Sequence, residues 1–152
     1  MIHDEGVTFE LGTDGPSVIV VGVDGSPTST HAGAYAVGLA RRQNSRIVVV
    51  YVVSAPAIAG LAPSASGAIE ESLVEAVREL AEQVEEGARH HGVAAEFRAV
   101  RGDPYTELTR VADEVRADAL VVGASTQAGH RFVGSLAVRL VKAGRWPVTV
   151  VP

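Results

Sequence analysis

The sequence contains no cysteine. It can therefore form neither a disulfide framework nor a thiolate metal site, and it has no thiol nucleophile. The longest run of Lys and Arg is the pair Arg41-Arg42, and the formal net charge is −5. This charge balance argues against non-specific binding to nucleic acid or to an anionic membrane, so we expect neither as a partner.

Long apolar runs and a secretory signal are also missing. No run of apolar residues approaches the roughly 20 that a membrane-spanning helix requires. The first residues do not place a basic segment before an apolar one, as a signal peptide would. From these absences we predict a cytoplasmic protein. The 152 residues, 47% of them hydrophobic, suffice for one compact domain with a substantial core.

Five short segments have the composition of strands in a parallel sheet. Three are almost continuously apolar and rich in β-branched residues, which is typical of strands buried on both faces, and the last segment is expected to be the final strand, at a sheet edge. One alternates between apolar and polar residues and is expected at a sheet edge with one wet face. In chain order the segments are 17–23, 46–53, 95–101 (the alternating one), 119–122 and 148–151.

Helical segments separate these strands. Ser26 and Asp103 each precede a proline and are the predicted N-caps of the first and third helices. Asn44 is expected to end the first helix in the left-handed conformation. An apolar stripe predicts the second helix from Ile69 to about His90. The strict alternation predicts an α/β fold, an open doubly wound five-stranded parallel sheet with helices on both faces.

Two segments are predicted to be irregular. Residues 1–16 have little periodicity and are expected to form a mobile N-terminal extension to a domain that spans residues 17–152. Residues 54–67 are small and are expected to form a long loop that projects over the ligand crevice and is mobile without ligand.

The most informative stretch is the last third of the chain. A buried strand ends in a Gly-rich turn that begins at Gly123, and a helix starts near Gly134-Ser135. A turn of this kind directs unpaired backbone N–H groups and the positive end of a helix dipole towards one point. The arrangement suits a phosphate group.

With the terminal PVTVV segment, this stretch resembles the signature of the universal stress protein family. In the ATP-binding branch of that family the motif runs Gly, two residues, Gly, nine residues, and then Gly followed by Ser or Thr. The sequence keeps Gly123 and the closing Gly134-Ser135. It departs in two ways, since Thr126 stands at the second Gly and only seven residues separate it from Gly134.

The resemblance implies the strand order 3-2-1-4-5 and a nucleotide crevice between the first and fourth strands, where the order reverses. In the family, the positions that match Asp24 and Val52 flank adenine and ribose, while the Gly-rich loop holds the phosphates. Arg131 offers a cationic phosphate contact within the loop. The candidate nucleotide-binding residues are Asp24, Val52, Gly123, Thr126, Gly129, Arg131, Gly134 and Ser135.

These residues also have plain structural explanations. Asp24 is a common turn former, Gly123 can serve a sharp turn, and Ser135 can cap its helix. His130-Arg131 can be a solvated loop tip. Because Asp24, Gly123 and Ser135 map to one crevice, they favour a site together, but turn and ligand roles stay open for Asp24.

No catalytic constellation accompanies the crevice. The H-E-x-x-H, G-x-S-x-G, G-x-x-x-x-G-K-[ST] and G-x-G-x-x-G motifs are all absent from the sequence. A phospho-acceptor domain of the receiver type would need an acidic cluster near Asp24 and a late lysine, whereas Lys142, the only lysine, falls in a helical segment. We expect slow ATP hydrolysis at most.

The resemblance leaves two functions open. One is a stress-response regulatory module that binds ATP or another adenine nucleotide, with or without magnesium. The alternative is a dimeric interaction protein of the same family that has lost ATP binding, which the shortened loop favours. The family resemblance implies a homodimer through the C-terminal strand, whose edge would otherwise expose unpaired backbone groups. Thr149→Pro is expected to weaken that dimer by removing a ladder donor.

Overall fold

The computed structural model describes residues 2–4, 7–9, 11–12, 15–53, 63–127 and 130–152, with side chains described for 11–12, 15–53, 67–126 and 133–152. Strands and helices are numbered here in chain order. They are β1 (Ile2–Asp4), β2 (Val7–Phe9), β3 (Val18–Val23), α1 (Pro27–Gln43), β4 (Arg46–Val53), α2 (Pro63–His91), β5 (Ala95–Arg101), α3 (Pro104–Val115), β6 (Ala119–Gly123), β7 (Ser125–Gln127), β8 (His130–Phe132), α4 (Ser135–Ala143) and β9 (Val148–Val151).

Five strands form one sheet in the order β5-β4-β3-β6-β9, and each neighbouring pair is parallel. Counted along the chain, these five strands take the order 3-2-1-4-5, which confirms the predicted doubly wound fold. The order reverses between β3 and β6. The carboxyl ends of these two strands therefore frame the position where this fold holds ligands.

Helices cover both faces of the sheet and create two core layers. Successive residues of a strand point to opposite faces, so Ile19 and Val21 pack with α1 while Val20 packs with α3 and α4. All three side chains are fully buried. Burial of each such side chain is worth about 1.5–3 kcal/mol, which fixes the strand register against both helical layers.

Local signals set the helix ends as predicted. The Ser26 hydroxyl caps α1 by accepting the Ser29 N–H, and the Asp103 carboxylate caps α3 by accepting the Thr106 N–H at 2.9 Å. Asn44 ends α1 with φ of 56°, in the left-handed region that asparagine tolerates.

The second helix differs from the prediction. It begins at Pro63 rather than at Ile69, so the expectation of an irregular segment is wrong for residues 63–67. The early part of α2 consists of small residues that give no apolar period, and proline is well suited to a first helical turn. Residues 54–62 lie outside the described residues, and the mobility expected for them stays a prediction.

Two short antiparallel hairpins were not predicted. One pairs β1 with β2 inside the N-terminal extension, and the other pairs β7 with β8 inside the Gly-rich turn. Their three-residue strands are too short to show a clear alternation of apolar residues. Within the described ranges, no helix is long and apolar enough to cross a membrane.

The backbone N–H and C=O groups of successive residues along β9 point alternately to β6 and to the free edge of the sheet. The carbonyl groups of Pro147 and Val151 accept hydrogen bonds from the N–H groups of Leu120 and Ala124, respectively. In a parallel pair every second residue faces the same neighbour, so Thr149 also faces β6. The expectation that Thr149 presents its donor to a partner strand is therefore wrong, and Val148 and Val150 occupy the outward positions.

Candidate functional site

A crevice of about 340 Å³ opens at the carboxyl ends of β3 and β6. The first turns of α1 and α4 and the start of α3 form its walls, and apolar side chains of the sheet form its floor. Its volume lies in the range of about 300–1,000 Å³ that is typical of small-molecule sites. The strand order thus places a cavity where the sequence predicted a ligand.

Most of the predicted site residues meet at this crevice. Gly129 lies outside the described residues. Arg131 belongs to β8, but its side chain is outside the described part, so its phosphate contact stays a prediction. The predicted residues that line the crevice are Asp24, Val52, Gly123, Thr126, Gly134 and Ser135. Their contact with a nucleotide stays a prediction, while their proximity is a structural finding.

Asp24 closes the turn that follows β3. Its Oδ1 accepts the Ser26 N–H at 2.9 Å, and its own N–H donates to the Ser29 hydroxyl at 3.3 Å. Partial burial raises the pKa of the Asp24 carboxyl, but hydrogen bonds from Ser26 and Ser29 outweigh it and bring the pKa below its usual value. Asp24 is therefore ionised at neutral pH. It stabilises the turn and also lines the crevice, so the two interpretations are compatible.

Gly123 is needed for close packing. A Cβ atom at this position would lie 2.6 Å from the Thr28 carbonyl carbon and 2.6 Å from the Ser29 nitrogen. Its φ is not positive, so the requirement arises from the approach of β6 to the first turn of α1 and not from a left-handed turn. Gly123 therefore shapes the crevice whether or not it contacts a ligand.

The N-terminus of α4 opens onto the crevice, and its N-cap residue makes no side-chain capping hydrogen bond. Gly134 is the N-cap residue and Ser135 is the first helical residue, so the interpretation of Ser135 as the cap is wrong. A Cβ atom on Gly134 would lie 1.9 Å from the Ser125 hydroxyl oxygen. The first N–H groups of a helix have no intrahelical partner and carry the positive end of its dipole. An anionic group fits this position.

The charge of the crevice is low. Among the described lining residues, Asp24 has the only charged side chain. Attraction for an anion from these residues therefore comes from backbone N–H groups and hydroxyl groups. In the described part of the chain, no group of three or more His, Asp or Glu side chains could hold a metal ion.

Two walls of the crevice were missed by the sequence reasoning. Thr28 and Ser29 line it from α1, and Pro104 and Leu108 line it from α3. The first pair follows Asp24 closely and could have been inferred from that strand end. The second pair depends on which face α3 covers, and this follows from the strand order and crossover hand.

A second cavity of about 400 Å³ lies between α1 and α2. Its lining is mostly apolar, with Arg41 and His91 among the few charged or titratable side chains, and it contains none of the predicted site residues. It runs beside the two helices rather than at the point where the strand order reverses. The crevice at β3 and β6 is therefore the better candidate site.

Comparison with known proteins agrees with this geometry. The family model described as "Universal stress protein family" matches residues 17–152. The chain belongs to the universal stress protein family.

Its relatives include proteins of similar length. A universal stress protein of Methanocaldococcus jannaschii is 31% identical over 136 residues, which cover 88% of this chain and 80% of that one. The crystal structure of a family member from Burkholderia pseudomallei is 32% identical with a TM-score of 0.71, covering 90% of this chain and 96% of that one. The crystal structure of a universal stress protein in complex with cAMP is 27% identical with a TM-score of 0.65, covering 91% of this chain and 98% of that one.

Proposed function

We propose that this universal stress protein is a stress-response regulatory module whose crevice binds an adenine nucleotide. The observation that carries the proposal is the N-terminus of α4, which opens onto the cavity beside Gly134 and Ser135 and whose N-cap residue makes no side-chain capping hydrogen bond. A related universal stress protein was crystallised with cAMP, a nucleotide with one phosphate. Family membership and a helix N-terminus suited to an anion support the same ligand class.

The proposed pose follows the chemistry of the walls. Adenine lies against the apolar side chains of Val50, Val52 and Val122, which line the crevice from the sheet. The ionised Asp24 carboxylate accepts hydrogen bonds from the ribose hydroxyl groups. The first phosphate lies at the N-terminus of α4, where Ser135 adds a hydroxyl donor.

The loop gives further phosphates less support than the full family motif would. Residues 125–127 pair with 130–132 as a hairpin, so part of this backbone is engaged in strand pairing. Thr126 also brings a β-branched side chain to the position where the motif has glycine. We therefore expect weaker ATP binding than in motif-complete relatives, with AMP less affected. A magnesium ion would be held mainly by the phosphates, with Asp24 as the one described carboxylate of the lining.

The second candidate function is a dimeric interaction protein that has lost ATP binding. The β7–β8 hairpin favours it, because that hairpin occupies the chain segment which would otherwise wrap a triphosphate. The position of β9 at the sheet edge is compatible with both functions, and we propose a homodimer through this strand in either case.

Calorimetric titration with AMP and with ATP tests the proposal. We expect both nucleotides to bind to the wild type. Ser135→Ala should lower the affinity for each by about three- to tenfold, because one hydrogen bond to the first phosphate is lost. Ser72→Ala is the matched control, since Ser72 is exposed on α2 and its hydroxyl bonds only the carbonyl of Ala68 among described groups. If no adenine nucleotide binds at millimolar concentration, only the interaction function is left.

A further inference from the structure

Arg139 lies beside the rim of the crevice and is held there by two contacts. Its Nη1 lies 3.8 Å from Oδ2 of Asp103, and its Cζ lies 4.1 Å from the centre of the Tyr105 ring. Asp103 directly precedes Pro104, which lines the crevice. The two contacts therefore hold the guanidinium group next to a crevice wall, although Arg139 does not belong to the lining itself.

The geometry of α4 brings this side chain towards the proposed phosphate position. Arg139 follows Ser135 by four residues, so both lie on one face of α4. Helical side chains tilt towards the helix N-terminus. A side chain at position 139 is therefore inclined towards the end of α4 that opens onto the crevice, and its contacts with Asp103 and Tyr105 lie at the start of α3, beside the crevice wall.

A second phosphate would need such a partner. The N-terminus of α4 accounts for one phosphate, the β7–β8 hairpin engages part of the loop backbone, and no described lining side chain is cationic. A guanidinium group can bind phosphate oxygens through two parallel hydrogen bonds. Its present partner holds it weakly, because an exposed ion pair is worth little and Arg139 is 55% exposed.

We propose that Arg139 is a specificity-determining residue of the crevice, which exchanges the Asp103 carboxylate for the second phosphate of an adenine nucleotide. Stacking on Tyr105 keeps the guanidinium plane at the rim during the exchange. Arg139 then raises the affinity for ADP and ATP and leaves that for AMP unchanged. This role rests on the proposed nucleotide function.

Arg145 offers a closely matched control. It stacks on Trp146 with its Cζ 4.3 Å from the ring centre, pairs with Asp113, and is 50% exposed. It differs in place, because it follows the C-terminal end of α4 and does not line the crevice. Replacing either arginine by glutamine removes one charge and one stacked ion pair.

The test is calorimetric titration of the wild type, Arg139→Gln and Arg145→Gln with AMP, ADP and ATP. We expect Arg139→Gln to lower the affinity for ADP and for ATP about five- to tenfold and the affinity for AMP less than about twofold. Arg145→Gln should bind all three nucleotides as the wild type does. The loss of ADP affinity in Arg139→Gln should be smaller in high salt, because the contact is exposed. Equal losses for AMP and ADP in Arg139→Gln, or equal effects of the two variants, would overturn the role of Arg139.

Asp103→Asn tests the exchange itself. Asparagine preserves the N-cap of α3 and removes the charge that holds Arg139. We expect ADP to bind about two- to threefold more tightly and AMP to be unchanged, with the gain absent when Arg139→Gln is added. Unchanged ADP affinity in Asp103→Asn would overturn the exchange.

The outcomes for the proposed function and for Arg139 are distinguishable. A wild type that binds none of the three nucleotides would overturn the proposed function, and the role of Arg139 with it. A wild type that binds AMP, with no ADP-specific loss of affinity in Arg139→Gln, would overturn the role of Arg139 alone.

Discussion

The hydroxyl group of Thr28 donates a hydrogen bond to the backbone carbonyl of Ala124 across 2.5 Å. The two residues are 96 positions apart in the chain, and the bond is buried. It ties the first turn of α1 to the residue that follows β6, and the last residue of β6, Gly123, closely approaches the same turn. These contacts fix the distance between two walls of the crevice.

Gly123→Ala is expected to destabilise the protein by about 1–3 kcal/mol, because its Cβ would overlap backbone atoms that cannot move independently. Denaturant unfolding measures the change. Gly33→Ala is the control. Gly33 lies within α1, and a Cβ there would meet no atom of the surrounding structure within 4 Å. Alanine is also favoured over glycine in a helix by about 0.5–1 kcal/mol. A Gly123→Ala variant as stable as the wild type would contradict the packing role.

The turn at Asp24 predicts a pH dependence of stability. The folded-state pKa of Asp24 lies below its usual 3.8, so its ionised form stabilises the fold at pH values above 3.8, and this contribution is lost as the pH falls through the folded-state pKa. The difference in unfolding free energy between wild type and Asp24→Asn should be constant above about pH 5 and shrink below pH 3.8. Urea unfolding from pH 2.5 to 7 checks this, and a difference that grows towards acid would refute it.

The alternation along β9 predicts which residue supports a dimer. Val150 occupies an outward position, so Val150→Pro removes a donor at the free edge, where proline is tolerated. Val150→Ala is the control, because it keeps the N–H donor. We expect the dimer of Val150→Pro to have a dissociation constant about tenfold or more above that of Val150→Ala. Light scattering over a concentration series measures both. A monomeric wild type at micromolar concentration would contradict the proposed homodimer.

Sequence reasoning succeeded where a signal is local. Ser26 and Asp103 before proline, Asn44 at a helix end and the β-branched segments each specify their structure through neighbouring residues. The start of α2 at Pro63 was not predicted, because the small residues there show no helical period of apolar side chains. The strand order came from the family resemblance and not from periodicity.

The candidate site was predictable to a similar extent. Asp24 and Gly123 stand at strand ends, so the topology alone brings them together. The position of Arg139 depends on a contact with Asp103, a residue far away in the chain. Pattern and spacing carry no information about such contacts, and only the packed structure does.

The most direct test of the nucleotide-binding crevice is a titration of the ¹⁵N-labelled protein with AMP, followed by the shifts of its backbone amide signals. The account predicts saturable shifts that are largest at Asp24, Ala124 and the first turn of α4, which border the crevice. Gly33 and Val37, which line only the cavity between α1 and α2, should shift little. No shift at millimolar AMP, or shifts centred on Gly33 and Val37, would contradict it.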